Sequence, residues 1–118
     1  MQFVVLSSSR GTTFQSVLDC MEKGTLTATC RGLVSDSADR GCVQKAKDAG
    51  LPVTIVSHDT KEEREEYDHR LHAAILELFA DEPEEPKVLA ALGWMFIFTP
   101  WFIAQWKNRI INVHPALL

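Results

Sequence analysis

The sequence is poor in several features that mark whole protein classes. Its 118 residues hold three cysteines, Cys20, Cys30 and Cys42. They are odd in number, far apart and never in a CxxC spacing. This argues against a disulfide framework or a zinc ribbon and fits a reducing cytoplasm. Basic charge is also scarce: 12 Lys and Arg stand against 16 Asp and Glu, a net charge of −4. With no cationic excess to neutralise phosphates, a generic nucleic-acid partner is not expected. No secretory segment is visible, because the first apolar run breaks at Ser7, Ser8 and Ser9. The longest uncharged stretch, residues 88–106, is interrupted by Gly93, Thr99, Pro100 and Gln105. Thr99 and Pro100 read as a helix N-cap and first helical residue, so the stretch is a strand-to-helix junction rather than a membrane span. Repeats and low-complexity tracts are absent.

What is present fits one soluble globular domain over residues 1–118. Hydrophobic residues make up 46% and charged residues 24% of the chain, enough for a buried core without staples. Short apolar, β-branched runs predict strands at 1–6, 27–35, 51–56, 88–92 and 109–113. Between them lie helical patterns at 14–23, 40–49, 61–79 and 100–107. Phe14, Val17, Leu18 and Met21 share one face of the first helix. Tyr67, Leu71, Ala74, Ile75 and Leu78 form the stripe of the third. Gly24 and Gly50 read as helix stops. Residues 80–87 are a polar, Pro-punctuated loop. Ten of the 16 acidic residues fall between Glu62 and Glu85, which reads as a solvated helix face and loop. Strict strand–helix alternation predicts an α/β fold. It is Rossmann-like and doubly wound, with a mainly parallel five-stranded sheet and helices on both faces.

In such a sheet ligands bind at the carboxyl ends of the strands. Three segments lie there. The loop Ser7 to Thr13 is small, hydroxyl-rich and opens into a helix, which suits either a phosphate oxygen or an ordinary turn with a Thr N-cap. It has one glycine and no Walker lysine, so it is not a dinucleotide or P-loop fingerprint. The second segment runs from Ala90 to Phe98 and includes Gly93, Met95, Phe96 and Ile97. Six of the ten aromatic residues lie between Trp94 and Trp106. They suit a slot for a flat heterocycle, although most read equally well as core. The third is Ile111-Asn112-Val113-His114-Pro115. Asn112 and His114 are two apart in a strand and share a face. An amide donor beside an imidazole can stabilise an oxyanion and move a proton. His58, His69 and His72 read as structural.

These motifs resemble the glycinamide ribonucleotide transformylases. The opening Val4-Val5-Leu6 into Ser8-Ser9-Arg10-Gly11-Thr12-Thr13-Phe14-Gln15 is similar to theirs. Leu92 to Pro100 is similar to their Ala-Gly-Phe-Met-Arg-Ile-Leu-Ser-Pro segment. Residues 111–118 resemble the Asn-Ile-His-Pro-Ser-Leu-Leu signature of folate-dependent formyltransferases generally. Arg64 to Asp68 is similar to a family Arg-Glu-x-Tyr-Asp. The resemblance spans the whole chain but only about the first half of a family member.

By that resemblance Gly11, Thr12 and Thr13 hold the ribose phosphate of glycinamide ribonucleotide, and Gly93 is a further substrate contact. Arg64, Met95, Phe96, Ile97, Phe98 and Asn112 bind the cosubstrate 10-formyltetrahydrofolate, and Asn112 and His114 are catalytic. No metal is implied. Two departures stand out: Thr13 replaces a usual Asn, and Phe96 replaces a usual Arg. The resemblance also implies a C-terminal half carrying an Asp that pairs with His114. The chain alone is therefore expected to be nearly inactive, and a complementing half or a homo-oligomer is an expected partner. Strand five would be a free edge, and Trp101, Phe102 and Trp106 would lose cover. A formyltetrahydrofolate deformylase, a tRNA formyltransferase or a non-catalytic phosphate-ligand domain remain the alternatives.

Overall fold

The computed structural model describes residues 1–79 and 85–113. Most of the loop read at residues 80–87, together with His114, lies outside them. The chain runs β1 (Gln2–Leu6), α1 (Thr12–Glu22), β2 (Thr29–Ser35), α2 (Gly41–Asp48), β3 (Val53–Ile55), α3 (Arg64–Leu78), β4 (Lys87–Leu92), α4 (Pro100–Gln105) and β5 (Ile110–Val113). Every element read from the sequence is there, with ends shifted by at most three residues. Residues 88–106 divide into β4, a loop and α4. Among the described residues no helix is long and apolar enough to cross a membrane.

The five strands form one sheet in the order β3-β2-β1-β4-β5, all pairs parallel. Central β1 is buried along its whole length, as an apolar strand covered on both faces must be. Its side chains alternate between two cores. Val4 and Leu6 join Tyr67, Leu71, Ile75 and Phe102 under α3 and α4. Phe3 and Val5 join Phe14, Cys42, Val43 and Ala46 under α1 and α2. The winding explains this division. The chain moves outward from β1 to β3, then α3 carries it back across the opposite face to β4. The strand order therefore reverses between β1 and β4, the switch point where such sheets open a crevice.

Trp101, Phe102 and Trp106 do not lose cover. Phe102 and Trp106 are buried, and Trp101 is half-buried. Their cover comes from α3. The Trp106 indole Nε1 donates to His72 Nδ1 at 3.0 Å, and Phe79 lies against the Trp106 ring with centroids 5.8 Å apart. The Thr99 side chain accepts from Phe102 N and caps α4, as the Thr-Pro pair predicts.

The His72 bond requires a neutral ring nitrogen. Burial, then the nearby His69 and Arg109, push the His72 pKa below its usual 6.5. At pH 7 the ring is neutral in both folded and unfolded chains. Below pH 6.5 the unfolded chain takes up a proton that the folded ring resists, so stability falls. We expect the urea midpoint to drop between pH 7 and pH 5. His72→Gln, whose amide oxygen can still accept from Trp106, should remove much of that drop. An unchanged slope in the variant would show that other groups cause it.

Candidate active site

The serine run after β1 folds back on itself. Ser7 Oγ lies 2.8 Å from Ser9 Oγ, and Ser9 Oγ accepts from Gly11 N at 3.1 Å. Two of the three serine hydroxyls are thus engaged within the loop. Gly11 is the N-cap of α1, in the left-handed region at φ 90°, and no side chain caps the helix. The ordinary turn with a Thr cap, one of the two readings of this loop, does not form: Thr12 and Thr13 are the first two helical residues. The first-turn N–H groups therefore lack a side-chain cap, while Thr12 is exposed and Thr13 half-buried.

The end of β4 is pressed against this loop. Ser8 N donates to the Gly93 carbonyl at 3.0 Å, and Gly93 N donates to the Val113 carbonyl at 3.2 Å. Gly93 adopts φ 78°, and a Cβ there would sit 2.9 Å from the Ser9 Cβ. Only glycine allows the approach. One residue thus joins the ends of β1, β4 and β5 at the switch point.

A polar bridge crosses the same crevice from β2. The Asp36 carboxylate receives Arg40 Nε at 3.2 Å and Nη2 at 2.8 Å. Burial raises the Asp36 pKa, but hydrogen bonds from Arg40 and Ser8 outweigh it and hold the carboxyl below its usual range. Arg40 Nη2 also lies 3.4 Å from Met95 Sδ. The backbone N–H of Met95 donates to Ser8 Oγ at 3.4 Å.

Beyond Met95 opens a cavity of about 310 Å³ lined by His58, Arg64, Tyr67, Asp68, Met95, Phe96 and Ile97. Four of the residues read as ligand-binding, Arg64 and Met95 to Ile97, meet here from α3 and the loop after β4. Phe98 is not among the lining residues; it stacks on Phe102 with centroids 4.7 Å apart. Phe96 lies parallel to His58, centroids 5.0 Å apart at 16°. His58, read as structural, is thus part of a cavity wall. Tyr67 closes the interior, donating to the Val56 carbonyl at 2.7 Å, and burial pushes its pKa up. Asp68 is 3% exposed, and its Oδ2 accepts from Thr99 N at 2.8 Å and Thr99 Oγ1 at 2.7 Å.

Asn112 is exposed on edge strand β5, paired with Ala91. Its neighbour in alternation, Ile110, packs in the α3–α4 core, whereas Val113 packs in the other. The Asn112 side chain therefore belongs to the α3–α4 face, the face that holds the cavity. Among the described residues no group of three His, Cys, Asp or Glu converges as a metal site.

Comparison with known proteins agrees with this architecture. The family model described as Formyl transferase matches residues 1–118. The phosphoribosylglycinamide formyltransferase of Escherichia coli is 30% identical over 118 residues, covering 100% of this chain and 53% of that protein. The trifunctional purine biosynthetic protein adenosine-3 of Gallus gallus is 31% identical over 114 residues, covering 97% of this chain and 11% of that protein. The solved phosphoribosylglycinamide formyltransferase of Coxiella burnetii superposes with a TM-score of 0.86 at 29% identity, covering 100% of this chain and 53% of that one. The chain thus spans about half the length of the bacterial relatives it matches.

Proposed function

The chain belongs to the formyl transferase family, and on that premise we propose that it supplies the nucleotide- and folate-binding half of a phosphoribosylglycinamide formyltransferase. The reaction moves a formyl group from 10-formyltetrahydrofolate to the amine of glycinamide ribonucleotide. The observation that carries this reading is the cavity beside the switch point, where Arg64 from α3 meets Met95, Phe96 and Ile97 from the loop after β4. It offers aromatic wall, backbone and guanidinium together, as a flat ligand with a carboxylate tail requires.

In this reading the uncapped first turn of α1, at Gly11, Thr12 and Thr13, holds the phosphate. Gly93, which packs against Ser9 at the end of β4, is a further substrate contact. The amine attacks the formyl carbon and forms a tetrahedral oxyanion. The Asn112 amide donates to that oxyanion. His114 takes the proton lost by the amine and delivers it to the departing folate nitrogen, and the C–N bond to folate breaks. The compartment is the cytoplasm, where both small molecules are made and consumed.

The elements of the relatives that this chain does not match are proposed to pack against β5 and the face beside it, on the same polypeptide or on another. Two features support it. Strand β5 is a sheet edge, which leaves its outer backbone groups unpaired. On the α1 side, a groove lined by Phe3, Val17, Val88, Ala90 and Ile111 is wholly apolar, and Ile111 is 55% exposed. Among the described residues no helix crosses over β4 and β5 on that face.

The test is a formyl-transfer assay on the chain with and without the unmatched half of the Escherichia coli relative. We expect consumption of formylfolate that depends on glycinamide ribonucleotide, and little turnover by the chain alone. Formate release without any acceptor would replace this reading with a deformylase. Saturable ligand binding with no turnover, even with the added half, would leave a binding domain.

A further inference from the structure

Met95 is exposed and lies in the loop between β4 and α4, yet it forms part of the cavity wall. Burial does not hold it in place. A methionine side chain has three rotatable bonds, and an exposed one is free to sample them. Two contacts restrain it instead. Its backbone N–H donates to Ser8 Oγ at 3.4 Å, and its Sδ accepts from Arg40 Nη2 at 3.4 Å. A thioether is a weak acceptor, so the second contact needs a donor that is already in place. Asp36 provides that. Its two carboxylate oxygens receive Arg40 Nε and Nη2, a two-point grip that sets the plane of the guanidinium. The Asp36 side chain is only 8% exposed, and the Ser8 hydroxyl serves both Asp36 and Met95. Behind the pair, the start of α2 is pressed onto the β1 loop. A Cβ on Gly41 would sit 2.7 Å from the Arg10 carbonyl oxygen, and Cys42 N donates to the Ser9 carbonyl at 3.3 Å. A close-packed base thus carries Arg40 across the crevice to an exposed side chain of the cavity wall.

We propose that Arg40 is a positioning residue: clamped by Asp36, it holds Met95 in the cavity wall and so sets the shape that the cavity presents to a ligand. Arg40 is not among the residues that line the cavity, so its effect on a ligand passes through Met95. The consequence for binding rests on the folate reading above, whereas the hold on Met95 does not.

The chain has three methionines, Met1, Met21 and Met95. Carbon-13 labelling of their methyl groups therefore gives a simple spectrum, in which Met95→Ala identifies the Met95 line by its loss. In Arg40→Ala that line should narrow and move to the shift of an unrestrained methionine, while the other two stay. The double variant Asp36→Asn/Arg40→Ala, which leaves no unpaired anion, should do the same. Arg40→Lys keeps the charge but loses the fork, and should behave as the alanine variant does. With the unmatched half of the Escherichia coli relative supplied, Arg40→Ala should raise KM for 10-formyltetrahydrofolate about fivefold and leave kcat within about twofold. Met95→Ala should raise KM as well, and adding Arg40→Ala to it should raise KM no further. An unmoved Met95 line in Arg40→Ala, or a lysine variant that matches the unaltered chain, overturns the positioning role. Additive KM losses in the Met95→Ala/Arg40→Ala variant also overturn it, since Arg40 would then act on the ligand without Met95. A moved line with unchanged KM overturns the effect on the cavity. Absence of turnover by the unaltered chain with the added half overturns the folate reading, and the methyl spectrum then still decides whether Arg40 holds Met95.

Discussion

Gly93→Ala is expected to destabilise the fold by about 2–5 kcal/mol, the sum of two separate penalties. The first is conformational: at φ 78° a residue with a Cβ is strained by about 1–2 kcal/mol. The second is steric. The added Cβ would lie 2.9 Å from Ser9 Cβ and 3.1 Å from Ser9 Oγ. Ser9 cannot simply rotate away, because its hydroxyl is bonded to Ser7 and Gly11. Forcing the loop outward costs about 1–3 kcal/mol more. Gly50→Ala isolates the first penalty, since Gly50 has φ 74° but nothing within 4 Å of an added Cβ. Denaturant melts of the two variants should therefore differ by the steric part. Equal losses would mean that the β1 loop yields freely and that the close approach of Ser9 to Gly93 is not a constraint. In the reading proposed above the same variant also disturbs phosphate binding, because that loop carries Gly11, Thr12 and Thr13.

The sheet and its order of elements were legible because each strand is a separate apolar run and each helix shows its own stripe. Tyr67, Leu71, Ala74 and Ile75 are buried as the 3.6-residue spacing implies. Helix ends were less legible. The Thr hydroxyls after β1 suggest a cap, but the close packing of Gly11 on Cys42 makes glycine the cap residue. The strand-end rule located Gly93 and Met95 to Ile97 correctly at the crevice. His58 reads as structural from the sequence because it lies in the irregular segment after β3, where no periodicity reports on orientation. Its contact with Phe96 spans 38 residues of sequence. The cover of Trp106 by His72 is equally non-local, joining positions 34 apart. Asp68 illustrates a different limit. Its place next to Tyr67 marks it as a residue near the buried stripe, but only the Thr99 bonds explain how a carboxylate is tolerated there. The Asp36–Arg40 pair had a local signal, an i, i+4 spacing across a helix start, yet its reach to Met95 had none.

Asn112→Ala is expected to lower kcat for formyl transfer by about 10²–10³, the loss typical of removing one oxyanion donor, or about 2.7–4 kcal/mol of transition-state stabilisation. The assay is the one in which the chain turns over, with the unmatched half of its relative supplied. Asn112 is exposed on an edge strand and paired through its backbone with Ala91, so truncating the side chain leaves the ladder intact. The melting temperature should move by no more than a degree or two, and KM for glycinamide ribonucleotide should change little, because the amide acts on charge that develops only after attack. Asn112→Asp sharpens the expectation. It keeps the size of the side chain but replaces the donor with an anion facing the oxyanion, so its kcat should fall at least as far as that of the alanine variant. A kcat within threefold of the unaltered chain in both variants would remove Asn112 from the reaction. A rise in KM alone would make it a ground-state contact to one of the substrates. Because the Gly93 N–H is engaged by the Val113 carbonyl, it is not a free donor at that strand end, and the reading proposed above assigns the oxyanion hydrogen bond to the Asn112 amide.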